Sequence, residues 1–147
     1  MNINLRKAKV KDIPTLISIE KEVSGSKIYS PLLTEAEWLE ELEKGTTYFI
    51  ELDGSVVGEV SCEMKEPFHV YIGGLVVKPL FQGKGIARKA MEILLAQLKD
   101  VRTIDLVTHP ENAKAIKLYE SLGFNIESRI ENYFGDGEPR VRMVFER

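Results

Sequence analysis

The run Gln82-Gly83-Lys84-Gly85-Ile86-Ala87 places two glycines and a small residue between the strand-like Leu75-Val76-Val77 and a stretch with helical apolar spacing. Strand, glycine turn and helix start together make an anion site. The first N–H groups of a helix lack intrahelical acceptors and carry the positive end of its dipole, while Gly83, Gly85 and Ala87 let a phosphate approach the main chain. From Lys78 to Arg102, the basic side chains of Lys78, Lys84, Arg88, Lys89, Lys99 and Arg102 face only Glu92 and Asp100, in a chain of net charge -3. That local positive excess points to a polyphosphate ligand. The spacing is not that of a nucleotide-binding G-x-x-x-x-G-K-[ST] loop, nor of the dinucleotide G-x-G-x-x-G.

A second group lies in Thr108-His-Pro-Glu-Asn-Ala-Lys-Ala-Ile-Lys-Leu-Tyr-Glu-Ser-Leu-Gly-Phe124. The reading sets Asn112 just inside a helix and Tyr119 seven residues later, two turns along one face, so both reach one ligand. A tyrosine hydroxyl, with a reference pKa of about 10 against about 8.5 for a thiol, can donate a proton to a departing thiolate.

These residues need elements to position them. Residues 3 to 9 alternate as a strand, and Asp12 is expected to cap a helix carrying Ile13, Leu16, Ile17, Ile19 and Val23. Thr34 and Glu37 form a T-x-x-E capping box for a second helix that stops at Gly45. Extended stretches at 46–52, 55–64 and 68–77 follow, the first two joined by Asp53-Gly54, a pair suited to a type I′ turn, and they read as an antiparallel meander. An amphipathic helix carries Ala87, Ala90, Met91, Leu94, Leu95 and Leu98; a strand spans 102–108, and a helix runs from about Pro110 to Leu122. Strands around 124–130 and 139–145 close the chain, joined by a loop with Gly135-Asp136-Gly137. The order is β-α-α-β-β-β-α-β-α-β-β, an α/β architecture with a mixed sheet and helices on its faces.

Composition narrows the function classes. With 147 residues, 44% hydrophobic and 29% charged, the chain has the balance of one globular domain, expected over residues 1–147. Twenty Lys and Arg against 23 Asp and Glu give no global basic field for nucleic acid. No signal-peptide stretch or membrane-spanning run is found, so no membrane partner is expected. The single cysteine, Cys62, excludes an internal disulfide and a multi-cysteine zinc site, fits a reducing cytoplasmic compartment, and no metal is expected.

The two groups, in this order and at this separation, resemble the GCN5-related N-acetyltransferase (GNAT) family. Gln82, Gly85 and Ala87 match its Q/R-x-x-G-x-G/A turn, and Asn112, Ala115, Leu118, Tyr119, Glu120, Gly123 and Phe124 match its N-x-x-A-x-x-L-Y-E-x-x-G-F helix. The element order agrees with the family's acyl-CoA N-acyltransferase fold. The segment from Arg129 to Met143 partly resembles the tail of N-terminal peptide acetyltransferases of the ribosomal-protein-alanine type, departing from it at Pro139-Arg140; Val107 replaces the Glu or His usual in those relatives.

The resemblance implies acetyl-CoA as cosubstrate and direct attack by a primary amine on its acetyl group. Main-chain groups of Leu75 and Val77 would hold the pantetheine arm where the family's strand splays from its neighbour, with Gly73-Gly74 marking a bulge. The amides of Gly83, Lys84, Gly85, Ile86 and Ala87 would hold the pyrophosphate, beside Gln82 and Arg88, with Arg88 or Lys89 meeting the ribose phosphate. Asn112 joins this cofactor set, and Tyr119 is the expected acid for the thiolate. Tyr71, Glu59, Glu63, Asp105 and His109 are the candidates to deprotonate the amine, with Tyr71 on the family's central strand. Ser26, Tyr29, Trp38 and Tyr133 are expected at the acceptor wall, Tyr29 and Tyr133 foremost. The acceptor is a peptide N-terminus or a small-molecule amine, the latter drawn by the acidic helix with Glu35, Glu37, Glu40, Glu41 and Glu43 and by Asp136 and Glu138; a non-catalytic acetyl-CoA-binding module is the alternative. Members of the family are often dimers, so a homodimer is among the expected states.

Overall fold

The amphipathic stretches fold onto the two faces of one seven-stranded sheet in a computed structural model that describes all 147 residues. The elements are β1 (Ile3–Lys7), α1 (Ile13–Val23), α2 (Glu35–Lys44), β2 (Thr46–Leu52), β3 (Ser55–Glu66), β4 (His69–Val77), α3 (Ile86–Gln97), β5 (Thr103–Thr108), α4 (Ala113–Ser121), β6 (Asn125–Ile130) and β7 (Arg140–Glu146). This is the expected order. The sheet runs β1-β2-β3-β4-β5-β7-β6, with β4 and β5 parallel and every other neighbouring pair antiparallel.

Each face has its own core. Ile86, Ala90, Met91 and Leu94 of α3 pack with Val70, Ile72 and Val77 of β4 and with Ile104 and Leu106 of β5. On the opposite face Ile13, Leu16 and Ile19 of α1 meet Trp38 of α2, Phe49 of β2 and Val76 of β4. The meander is closed by Asp53 and Gly54, both at positive φ as a type I′ turn requires. Thr34 accepts from the Glu37 N–H, and the Glu37 carboxylate accepts from the Thr34 N–H, completing the capping box.

Several boundaries differ from expectation. Asp12 does not cap α1: its carboxylate accepts the Lys9 N–H at 2.9 Å instead, because residues 10–12 form a 3-10 turn that places Asp12 in helical geometry. Residues after Pro79 make a short 3-10 turn, Pro79–Phe81, and α3 starts only at Ile86, behind the left-handed Gly85. Asn112 is the cap of α4 rather than a residue inside it, its side chain accepting from the Ala115 N–H at 3.3 Å.

Candidate functional site

The sheet is split where β4 and β5 part. Their parallel pairing covers only His69–Ile72 against Thr103–Leu106, while β5 continues to Thr108 along β7. Residues 73–77 therefore keep a strand edge with no partner on the β5 side. Ser61 pairs with Gly74 and Cys62 with Ile72, so Gly73 is the extra residue of a bulge. The bulge shifts the alternation of side chains by one. Val70 and Ile72 before it and Val77 after it all face α3, while Tyr71 and Val76 turn toward α1 and α2. Gly58 fixes β3 tightly against this end of β4, since a Cβ there would stand 2.3 Å from the Val76 carbonyl oxygen.

The split opens into a cavity of about 450 Å³. Gly73 to Val77 form one wall; Val107 and Thr108 of β5, with the cap residue Asn112 and Leu118 and Tyr119 of α4, form the other. A second hollow of about 220 Å³ continues from it over Gly83, Gly85 and Arg88, and the two share Val77, Gln82, Ala87 and Leu118. The result is one long groove. At its outer end the main-chain N–H groups of Gly83 to Arg88 donate to no main-chain acceptor, the first bond of α3 being Lys89 N–H to the Gly85 carbonyl. Gly83 and Gly85 adopt φ of +77° and +80°, with open space where a side chain would stand. An anion held there meets helix-start donors, and an extended amide-bearing arm running inward meets the free strand edge.

The sequence-selected residues fall along this groove in different roles. Ile86 is buried in the α3 core, so only its N–H faces the groove, and Lys84 is exposed. The Gln82 side-chain amide donates to the Val77 carbonyl at 2.8 Å, tying the turn to the end of β4. Arg88 reaches across to Ser121 Oγ at 2.6 Å, joining α3 to α4 at the groove's mouth. Tyr119 is buried, its ring tilted at 58° against Phe124 with centroids 5.8 Å apart, and burial raises its hydroxyl above the ordinary tyrosine value, so it stays protonated. Tyr29 lines the cavity near both Tyr119 and Gln82. Trp38 is mainly a core residue, donating its indole N–H to the Leu32 carbonyl at 3.0 Å.

The five candidates for deprotonating an amine separate clearly. Asp105 is occupied by His69 at 2.7 Å and Arg142 at 2.9 Å. Glu63 lines the cavity but pairs with Lys65 at 3.1 Å. His109 is 1% exposed; its Nδ1 accepts the Glu111 N–H, so Nε2 carries the proton and donates to Glu138 at 2.7 Å. His109, Glu111 and Glu138 have potential ligand atoms within 4.8 Å of one another, but this tautomer leaves the imidazole no free lone pair for a metal. Tyr71 lies in the cavity wall, and burial with the neighbouring Tyr133 drives its hydroxyl well above the ordinary value, making it a hydrogen-bond donor rather than a proton acceptor. Tyr133 sits beside Tyr71 but outside the cavity lining, where Phe134 and Arg140 stand instead.

Of the five, Glu59 alone is a buried cavity carboxyl without a cation. It points toward α1, where it meets Glu20, a residue that sequence reasoning missed because it lies within an ordinary amphipathic helix pattern. Only the packing of α1 on β3 brings the two together. Of the acidic α2 side chains, Glu41 alone reaches the cavity. Cys62 is packed against the α3-side core, and burial raises its thiol, which disfavours the thiolate that a nucleophilic cysteine needs.

Comparisons with known proteins agree with this architecture. The profile of the Acetyltransferase (GNAT) family matches residues 13–124. Over 105 residues the chain is 30% identical to the spermidine N(1)-acetyltransferase of Escherichia coli (strain K12), covering 65% of this chain and 55% of that protein. The chain thus spans about half the length of the curated relatives it matches. Among solved structures, the ribosomal-protein-S18-alanine N-acetyltransferase from Escherichia coli superimposes with a TM-score of 0.84 at 23% identity, covering 99% of this chain and 94% of that one. The PaiA N-acetyltransferase from Thermoplasma acidophilum, solved in complex with coenzyme A, gives 0.80 at 19% identity over the full length of both chains. The family profile covers most of the chain, including the split β4, the glycine turn and the Asn112–Tyr119 helix that build the groove, so this protein belongs to the acetyltransferase (GNAT) family.

Proposed function

We propose that residues 1–147 act as one acetyl-CoA-dependent N-acetyltransferase domain that transfers the acetyl group to a primary amine of a small molecule or a peptide N-terminus. The observation that carries this reading is the continuity of the groove: free helix-start donors at one end, an unpaired strand edge along its middle, and a protonated, buried tyrosine in its inner wall. The pyrophosphate of acetyl-CoA would rest on the N–H groups of Gly83 to Arg88, and the pantetheine amides would pair with the edge at Leu75 and Val77. The Gln82 and Arg88 side chains act mainly as ties that hold β4, α3 and α4 in place around the cofactor.

The amine attacks the acetyl carbonyl carbon, an N–C bond forms, and the C–S bond breaks as coenzyme A leaves. The oxyanion between these steps would be met by main-chain N–H groups of the Leu75–Val77 edge. Tyr119, held protonated by burial, supplies the proton that the departing sulfur needs. Tyr29 and Tyr71 stand at the acceptor side, with Tyr133 behind Tyr71 at its mouth.

The test is thiol release from acetyl-CoA with spermidine and with an alanine-starting peptide as alternative acceptors, beside a binding titration. Binding with amine-dependent release supports the enzyme. Binding without release to either acceptor, or to a broad amine panel, favours a non-catalytic acetyl-CoA module. Failure of acetyl-CoA to bind removes the reading altogether.

A further inference from the structure

Glu59 Oε2 is buried with no hydrogen-bond partner, and Glu59 is 3% exposed. An unpaired buried carboxylate oxygen is costly, and costlier still beside a second carboxyl. Glu20, 6% exposed, faces Glu59 across the junction of α1 and β3, close enough for each carboxyl to shift the other's proton affinity. Glu20 also accepts the Leu32 N–H at 3.3 Å, a bond that favours its ionised form. Glu59 receives no such donor. Both line the cavity that holds Tyr119 and the free edge of β4, and Glu59 is the cross-strand partner of Val76 on that edge.

The other charges acting on the pair are Glu41 and Glu37 of α2, which have the same sign. Two carboxyls in such a place cannot both be ionised at low cost, so they hold one proton between them, on Glu59, and together carry one negative charge. Burial is the main cause that pushes Glu20 up to about 7, and burial with the Glu20 charge raises Glu59 further.

Resting on the acetyltransferase reading above, we infer that the Glu20–Glu59 pair is the seat of the acceptor's ammonium group and takes its first proton. The ammonium supplies the hydrogen-bond donor that Glu59 Oε2 lacks and the positive charge that the pair lacks. Proton transfer to the ionised member leaves a neutral amine and a doubly protonated, uncharged pair. The free amine then attacks the acetyl carbon. Its second proton leaves the nitrogen as the tetrahedral species collapses; of the two protons released, one ends on the coenzyme A sulfur and one in solvent. A peptide or small-molecule amine satisfies this chemistry equally, whereas an amide or a hydroxyl does not.

The experiment compares wild type with Glu20→Gln, Glu59→Gln and the double variant. Acetyl-CoA binding is followed by thermal shift, thiol release is measured with 1,4-diaminobutane as the probe amine across pH 5.5 to 8.5 (a range of about one and a half units either side of the Glu20 value), and carboxyl protonation by difference infrared spectroscopy. The expected result is unchanged acetyl-CoA binding in all four proteins and one protonated carboxyl in the wild type at neutral pH that disappears in Glu59→Gln. Release by the wild type rises with pH through a limb near neutrality, falls by roughly 100-fold in Glu20→Gln, and in Glu59→Gln persists with its limb still near neutrality, the amide standing in for the protonated carboxyl. The proposal is overturned if all three variants release thiol within about twofold of wild type with the same pH limb. It is equally overturned if both carboxyls are ionised at neutral pH in a wild type that binds acetyl-CoA, whether or not the diamine is acetylated. Loss of acetyl-CoA binding by the wild type itself would instead remove the underlying reading.

Discussion

Tyr119 illustrates how burial assigns chemistry to a single side chain. Packed against Phe124 and walled into the cavity, its hydroxyl is raised above the ordinary range and remains a donor at neutral pH. Tyr119→Phe removes one oxygen without opening a cavity, so amine-dependent thiol release is expected to fall by about 100-fold or more while acetyl-CoA affinity holds, as steady-state kinetics beside calorimetric binding would show. Unchanged release would unseat Tyr119 as the acid. Glu59 shows the converse effect on stability. Because Glu20 and Glu59 bind protons more tightly folded than unfolded, native stability falls as pH rises from the unfolded carboxyl range near 4.5 through the raised folded values, Glu20 at about 7. Glu59→Gln lifts that penalty. Denaturant unfolding should therefore find the variant more stable than wild type by about 1–3 kcal/mol at pH 8, with the gap closing toward pH 4.

At the scale of elements, the site depends on ties between segments that no single motif contains. His109, buried ahead of the α4 cap, donates to Glu138 and so pins the β6–β7 connection, which carries Phe134 and Arg140 into the cavity wall. His109→Leu keeps the volume but drops both hydrogen bonds, at an expected cost of about 1–3 kcal/mol. Its kinetic signature should be a raised KM for the acceptor with the acetyl-CoA thermal shift intact, since the helix-start donors lie at the other end of the groove. Gly58→Ala tests the opposite wall. A methyl group 2.3 Å from the Val76 carbonyl forces β3 and β4 apart, so chemical denaturation should show a loss of roughly 2 kcal/mol or more and acetyl-CoA binding should weaken with it.

For the molecule as a whole, ligand binding and folding are linked through the split. Acetyl-CoA would bridge β4, α3 and α4, elements that in its absence are joined there by the Gln82–Val77 and Arg88–Ser121 bonds. At about 100 times its dissociation constant a ligand specific to the folded state adds about 2.7 kcal/mol, so the melting temperature should rise by roughly 5–10 °C and continue to climb with the logarithm of ligand concentration. Differential scanning fluorimetry across an acetyl-CoA series gives the answer, and a flat series would exclude a cofactor site in the groove. No helix of the chain is long and apolar enough to cross a membrane.

The elements and the glycine-turn end of the groove were legible in the residues themselves, because their signals are local. Apolar periodicity marks the helices, Thr34 and Glu37 cap α2 through a three-residue spacing, and the left-handed Gly83 and Gly85 declare a turn ahead of a helix. Adjacent residues in the chain build that end, so adjacency in the sequence suffices. The inner end is different. Glu20 and Glu59 are brought together from α1 and β3, Glu138 reaches His109 across 29 residues, and the Gln82 side chain turns back to donate to the Val77 carbonyl. Even the alternation that sends Tyr71 and Val76 to one face depends on a one-residue bulge opposite Ser61 and Cys62. Type and spacing name which groups can do chemistry, but burial, partner and charge decide which of them does, and those exist only once distant segments pack.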